Sequence, residues 1–244
     1  MRPLSVEIYC PELGGAEPEA VRADLATRVP APVTVEVEER APRFEALEES
    51  LSQSWQFPEG RQTLAQCRFV ITVRETQVGA AKPVERLDYL QNAINMVLEK
   101  VHAEAMHCVD SLQVISPGLF LGEVEARGVP ALQAGAVNVR LYRVDAPGVA
   151  DGRLIMDTLG LHVFGLPDLQ IDYRWLEPGA VARTLFAAAA YIFQQGDVIE
   201  DGHSIEGCLP GSRWTAQHSE SSMVEPFREV IVLDPGEPYS TRDE

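Results

Sequence analysis

Apolar and polar positions alternate along the chain with two periods, and the switches between them mark the elements. SVEIYC (5–10) reads as a short strand, closed by Pro11 and the Gly14-Gly15 turn. EPEAVRADLATR (17–28) reads as a helix, with Pro18 in its first turn and Val21, Leu25 and Val29 on one face. PVTVEVEER (32–40) alternates strictly, with Val33, Val35 and Val37 on one side and Thr34, Glu36 and Glu38 on the other. That pattern predicts a half-buried strand with an acidic outer face. Residues 43–54 follow as a helix carrying Phe44, Leu47 and Leu51, then a break at Pro58 and Gly60, then a strand at 67–75. After the GAAKP loop, Leu87, Leu90, Ile94, Val97, Val101 and Ala105 step by three and four, which predicts a long helix over 83–106.

VDSLQVI (109–115) reads as a strand, and 118–127 as a short helix ended by Gly128-Val129-Pro130. Three adjacent antiparallel strands are expected at 136–144, 153–164 and 169–175, separated by the DAPGVADG and GLPD turns. A helix over 178–195 follows, with Gly196 at its end, then the loop GDVIEDGHSIEG and a last strand over 224–234. The final residues, DPGEPYSTRDE, read as a mobile tail. Strands and helices interleave without a regular parallel repeat. The expected class is α+β, with mixed, largely antiparallel sheets and helices packed on one face. The expected organisation is an N-terminal α/β layer over 1–130 and antiparallel strands plus a helix over 131–244, in one compact unit.

Composition changes the functional picture more than the structural one. The chain has 244 residues and a formal net charge of −17. Clustered Lys and Arg are what phosphate contacts require, so nucleic acid is an unexpected partner, and so is an anionic membrane surface. A basic protein partner is compatible. The excess is uneven: residues 1–60 hold 12 acids against 5 bases, and 196–244 hold 11 against 3. No run approaches 18 apolar residues and the N-terminus shows no signal-peptide core, so a cytoplasmic location is expected. Cys10, Cys67, Cys108 and Cys208 lie far apart without a CxxC pair, and read as reduced thiols.

Candidate chemistry is sparse. Asp157, His162, Asp168 and Asp172 lie on or between strands, and Asp197, Asp201 and His203 lie in the loop after the helix. Carboxylates with histidine can hold a divalent cation or move protons. Their spacing matches neither an EF-hand nor HExxH. Asp168 and Asp201 are also ordinary turn residues, and His162 beside Leu161 and Val163 suits a hydrogen-bonded structural role. Ser204 has no G-x-S-x-G context, and Cys208 no helix N-terminus to hold a thiolate. Without G-x-G-x-x-G or a Walker A loop no nucleotide cofactor is expected, and no metal is assigned. Of the tryptophans, Trp175 ends a strand and reads as core, whereas Trp55 and Trp214 sit in polar, turn-rich stretches where either can pack down or anchor a partner.

The stretch DTLGLHVFGLPDLQIDY (157–173), then a helix and GDVIEDGHSIEG (196–207), resembles a bacterial family, domain of unknown function 4261. The residues that carry it are Thr158, Gly160, Leu161, Gly165, Pro167, Asp168 and Gln170, then Gly196, Asp197, Asp201, Gly202, His203 and Gly207. The similarity is expected to span about 65–207, leaving 1–60 and 208–244 outside. Acidic bacterial proteins of this length are similar to immunity proteins, which neutralise a secreted toxin by covering its site. The leading expectation is therefore a non-catalytic immunity protein against a type VI or contact-dependent effector, with a nuclease among the candidate targets. Its contact residues would be Glu36, Glu38, Glu39, Asp197, Glu200, Asp201, Glu206 and Trp214. The alternatives are a hydrolase using Asp157, His162, Asp201 and His203, and a scaffold of a secretion machine.

Overall fold

A computed structural model describes residues 2–76, 81–127, 131–144, 152–221 and 224–241. The expected helix end at Gly128-Val129-Pro130 and most of the DAPGVADG turn lie outside them. The class is α+β: six α-helices and two mostly antiparallel sheets, among the described residues. The chain divides into two compact units, Met1–Asn138 and Val139–Glu244. No helix among the described residues is long and apolar enough to cross a membrane.

The first unit contains β1 (Ser5–Cys10), α1 (Pro18–Ala26), β2 (Val33–Glu39), α2 (Phe44–Ser52), α3 (Gly60–Leu64), β3 (Phe69–Glu75), α4 (Pro83–Lys100), β4 (Ala105–Cys108), β5 (Gln113–Ile115) and α5 (Pro117–Arg127). Its sheet runs β2-β3-β1-β4-β5 with antiparallel pairings throughout. The β1-α1-β2 and β3-α4-β4 segments are two interlocked split β-α-β units, the ferredoxin-like strand order, with β5 added at one edge.

Register explains the burial of β1. Ile8 pairs with Ile71 and Met106, on the face where α1 and α4 pack. Its neighbour Tyr9 pairs with Val70 and Ala105, on the face where Leu47 of α2 and Leu64 of α3 close a second core cluster. Helices thus cover both faces of this sheet, and a central strand buried on both sides loses its alternation. Edge strand β2 keeps it: Val33 and Val35 are buried and Thr34, Glu36 and Glu38 exposed, as expected.

Two expectations fail here for local reasons. The long helix ends at Lys100, because Val101 turns extended and the apolar run 105–108 continues as β4 inside the sheet. The expected strand 109–115 is a turn through Val109–Leu112 followed by the short β5.

The second unit contains β6 (Asn138–Arg143), β7 (Leu154–Leu159), β8 (Asp168–Tyr173), α6 (Pro178–Gln195), β9 (Ser204–Glu206), β10 (Arg213–Glu220) and β11 (Glu229–Asp234). Its sheet runs β6-β7-β8-β11-β10-β9, and β8-β11 is its parallel pair. The strand expected at 153–164 stops at Leu159. Residues Leu161–Phe164 form a 3-10 turn, closed by Gly165 in the left-handed region (φ 77°). Up to Thr241 the terminal segment is held rather than loose. Ser240 bridges to Tyr173, Arg174 N–H donates to Tyr239 O, and the Thr241 hydroxyl donates to Asp172.

Candidate functional site

Most of the acid/base candidates fall into two separate networks in the second unit, while Asp172 pairs with Arg153. The first is internal. Arg140 of β6 and Asp157 of β7 are both fully buried, with Arg140 Nε and Nη2 donating to the two Asp157 oxygens at 3.0 and 2.6 Å. Arg228 bridges the two aspartates, donating to Asp157 Oδ2 at 2.8 Å and Asp168 Oδ2 at 2.9 Å. Asp168 also accepts from Thr158 Oγ1 and Leu161 N–H, and its Oδ2 lies 3.0 Å from His162 Nδ1. Burial alone would push the Asp168 carboxyl up, but His162, Arg228 and the backbone donors bring it below its ordinary value. The Leu169 N–H returns a hydrogen bond to Thr158 Oγ1 at 2.8 Å. Asp168 therefore fastens the 3-10 turn to the start of β8, and His162 sits in that turn, not on a strand.

The second network lies on the surface, where the expected loop 196–207 contains β9 and packs beside β10. Asp201 Oδ1 accepts from His218 N–H at 2.7 Å and lies 2.9 Å from His218 Nδ1, and Asp197 Oδ1 lies 3.2 Å from Nε2. Gln217 Nε2 donates to Asp201 Oδ2. His203 pairs with Glu200 instead, at 3.5 Å. The four residues of the hydrolase alternative thus do not share one cluster: Asp157 and His162 are held by Arg228 and Asp168, Asp201 by His218, and His203 by Glu200. Among the described residues no group of three or more His, Cys, Asp or Glu is arranged to hold a metal ion.

Hydrogen bonds to Asp201 raise the His218 pKa above 6.5, with burial opposing and Asp197 adding to the rise. The same contacts lower the Asp201 pKa below 3.8. A raised histidine stabilises fully below its unfolded value, and that contribution is lost as pH rises through the folded value. A lowered aspartate stabilises above its unfolded value, and that is lost on further acidification. The clamp should therefore be tightest between about pH 4 and 6.5. A proton NMR titration should place the His218 midpoint above that of an unperturbed imidazole, about 6.5; a midpoint at or below it would mean the clamp does not form in solution.

The tryptophans exchange roles relative to expectation. Trp214 lies in β10, not in a loop, and is 1% exposed, so it is a core residue and not a partner contact. Its neighbour Gly207 has no room for a side chain: a Cβ there would meet Ser212 Oγ and sit 2.7 Å from Trp214 Nε1. Trp175, expected in the core, is 67% exposed. It takes a left-handed backbone (φ 61°) just past β8, which swings its ring outward beneath the Arg174 guanidinium, 4.5 Å away.

The acidic contact candidates divide between the units. Glu36, Glu38 and Glu39 lie on edge strand β2, with Glu38 paired to Arg40 and Glu39 to Arg68. Asp197, Glu200, Asp201 and Glu206 lie on and before β9, all exposed. Between β9 and one face of α6 runs a groove of about 600 Å³.

The first unit holds a network that the sequence reading missed. Glu7 accepts from Tyr9 OH at 2.6 Å and Arg40 at 2.9 Å, and lies 3.2 Å from His107 Nδ1. His107 Nε2 lies 3.0 Å from Ser50 Oγ. Burial would raise Glu7, but His107, Tyr9 and Arg40 outweigh it and lower its pKa to about 2. The order carboxylate–imidazole–hydroxyl is that of a nucleophilic relay. Ser50, however, is fully buried on the inner face of α2, and the chain of contacts fastens α2 to β1 and β4. Only the β1–β4 pairing brings Glu7 opposite His107, so no local spacing could have announced it. Burial raises the thiols of Cys10, Cys67 and Cys108 to about 12, 11 and 12, which keeps them protonated.

Together these features define an α+β protein with ion-paired interior carboxylates and acidic outer strands. Residues 157–234 match the model of a family described as a domain of unknown function, DUF4261. The family resemblance carried by Thr158 to Gly207 stands, with its span moved: the match opens at Asp157 in β7 and runs through β11, so it takes in the C-terminal strands. No curated protein and no solved structure matches the chain.

Proposed function

We propose that the protein is a non-catalytic binding protein that captures and neutralises a basic protein domain, as an immunity protein does with a secreted toxin. The observation that carries this reading is how the carboxylates are partitioned. Asp157, Asp168 and Asp172 of the second unit's interior are each matched by an arginine. Exposed Glu36 and Glu206 have no ion-pair partner among the described residues, within a chain of net charge −17. Excess surface charge of one sign accelerates encounter with a partner of the other sign and repels competitors of its own. Exposed Trp175 adds an aromatic of the type that anchors interfaces.

The test is to sequence the neighbouring reading frames for a basic toxin domain and co-express it with this protein; their lacking one would count against the reading. Restored growth and a 1:1 complex on size-exclusion chromatography are expected. Unrelieved toxicity without a complex would reject the reading, and a stable complex of other stoichiometry without protection would favour a scaffold.

A further inference from the structure

β9 is the outermost strand of the second sheet, and its partner on the inner side is β10. At its two ends, Ala216 N–H donates to His203 O and Gly207 N–H to Ser212 O. This parity turns residues 203, 205 and 207 toward β10 and directs the backbone groups of Ser204 and Glu206 outward. The Ser204 carbonyl is covered by the Arg213 guanidinium at 2.8 Å. Among the described residues no strand follows β9 in the sheet, so the outward side of Glu206 is an edge where another chain can pair.

The groove of about 600 Å³ runs beside this edge, with Ile205 on one side and the α6 stripe Ala180, Thr184, Ala187 and Tyr191 on the other. Small side chains leave the space open, and half-exposed Tyr191 forms one wall. From residue 180 to 191 the helix advances about 16 Å, the length of about five residues of extended chain. Edge and groove together fit a strand whose backbone pairs with β9 and whose alternate side chains enter the groove.

Charge selects the occupant. Glu206 stands on the edge, Glu200 and Asp201 lie just before it, and the cation lining the groove, Arg183, is already 3.8 Å from Glu177. A second copy of this chain would set Glu206 against its own kind, which disfavours pairing. A segment alternating apolar and basic residues meets both the groove and the carboxylates.

We propose that β9 accepts an extended segment of a partner protein, apolar and basic in alternation, as a further strand of the second sheet. This rests on the reading of the chain as a captor of a basic partner and assigns the contact to one edge. Adding a strand supplies main-chain hydrogen bonds for affinity and side-chain pockets for specificity.

The probes are a synthetic decapeptide alternating Val and Lys, the same peptide with Glu for Lys, and the Val/Lys peptide N-methylated at alternate amides. On the full-length protein, the Val/Lys peptide should shift amide resonances of residues 204–208 and 180–191. N-methylation should weaken it at least tenfold, and the Glu peptide should not bind. Glu206→Pro removes an outward N–H without touching the β10 ladder, and Ala187→Trp fills the groove from an exposed helix position. Each should weaken binding at least tenfold. Shifts elsewhere, or equal affinity for the N-methylated peptide, would overturn strand addition. If Glu206→Pro and Ala187→Trp both still bind and neutralise the neighbouring toxin as wild type does, strand addition fails and capture stands. If wild type itself forms no complex with that toxin, capture fails.

Discussion

Asp157→Ala is expected to cost about 3–5 kcal/mol of folding stability, because removing one partner of a buried ion pair strands the other. Arg140 is fully buried, and Arg228 is 5% exposed and donates to the same carboxylate. Neither guanidinium can release its proton to relieve the loss. Arg228 would keep Asp168 and the Thr158 carbonyl, whereas Arg140 would lose the bidentate contact to Asp157. Arg140 also donates to the Glu225 carbonyl at 2.8 Å and lies over the Tyr142 ring. Urea denaturation of wild type and variant measures the difference. Asp157→Asn, which keeps the volume, separates charge from cavity. An Asp157→Ala loss below about 1 kcal/mol, the range of solvated surface pairs, would mean that this network is wet.

Glu75→Ala should be comparably damaging in the first unit, again about 3–5 kcal/mol. Glu75 ends β3 and Arg86 lies in the second turn of α4, with side chains 4% and 1% exposed. Arg86 Nε and Nη2 donate to Oε1 and Oε2 at 2.8 and 2.7 Å, a bidentate fork. Glu75 Oε2 also accepts from Leu4 N–H at 3.1 Å, which ties the entry of β1 to the same carboxylate. The substitution therefore breaks a strand–helix contact and leaves a backbone donor without its acceptor. Hydrogen exchange should rise in β1, β3 and α4. Unchanged protection there would contradict the structural role given to the pair. By contrast Glu19→Ala, which removes an exposed pair with Arg22, should leave the urea midpoint unchanged.

Elements governed by one local signal were legible in the sequence. β2 shows its alternation because one face is buried and the other is acidic. α6 shows its stripe and a capping glutamate, Glu177, whose oxygens accept from Gly179 and Ala180 N–H. β10 was hidden although Trp214 and Ala216 alternate with Arg213, Thr215 and Gln217. Its polar composition resembles a loop, and only pairing with β11 makes it a strand. The helix expected to reach 106 failed because apolar residues at helical spacing also suit a fully buried strand.

Site legibility divides the same way. The residues carrying the family resemblance were found, and the structure gives several of them architectural tasks. Thr158 and Asp168 exchange hydrogen bonds around the 3-10 turn, and Gly207 makes room for the Trp214 ring. Their partners Arg140 and Arg228 lie 17 and 71 residues from Asp157, so the closed network needed the fold to become visible. Exposure of Trp175 follows from one backbone angle, for which a tryptophan offers no sequence signal.

Capture of a basic partner by an acidic surface is most directly tested by the association rate with the cognate toxin domain as ionic strength rises. Steered association should exceed the unsteered range of about 10⁵–10⁶ M⁻¹s⁻¹ at low salt and fall steeply as salt screens it. Glu36→Lys with Glu206→Lys should lower the low-salt rate and flatten the salt dependence. A rate insensitive to salt and to these substitutions would contradict electrostatic capture.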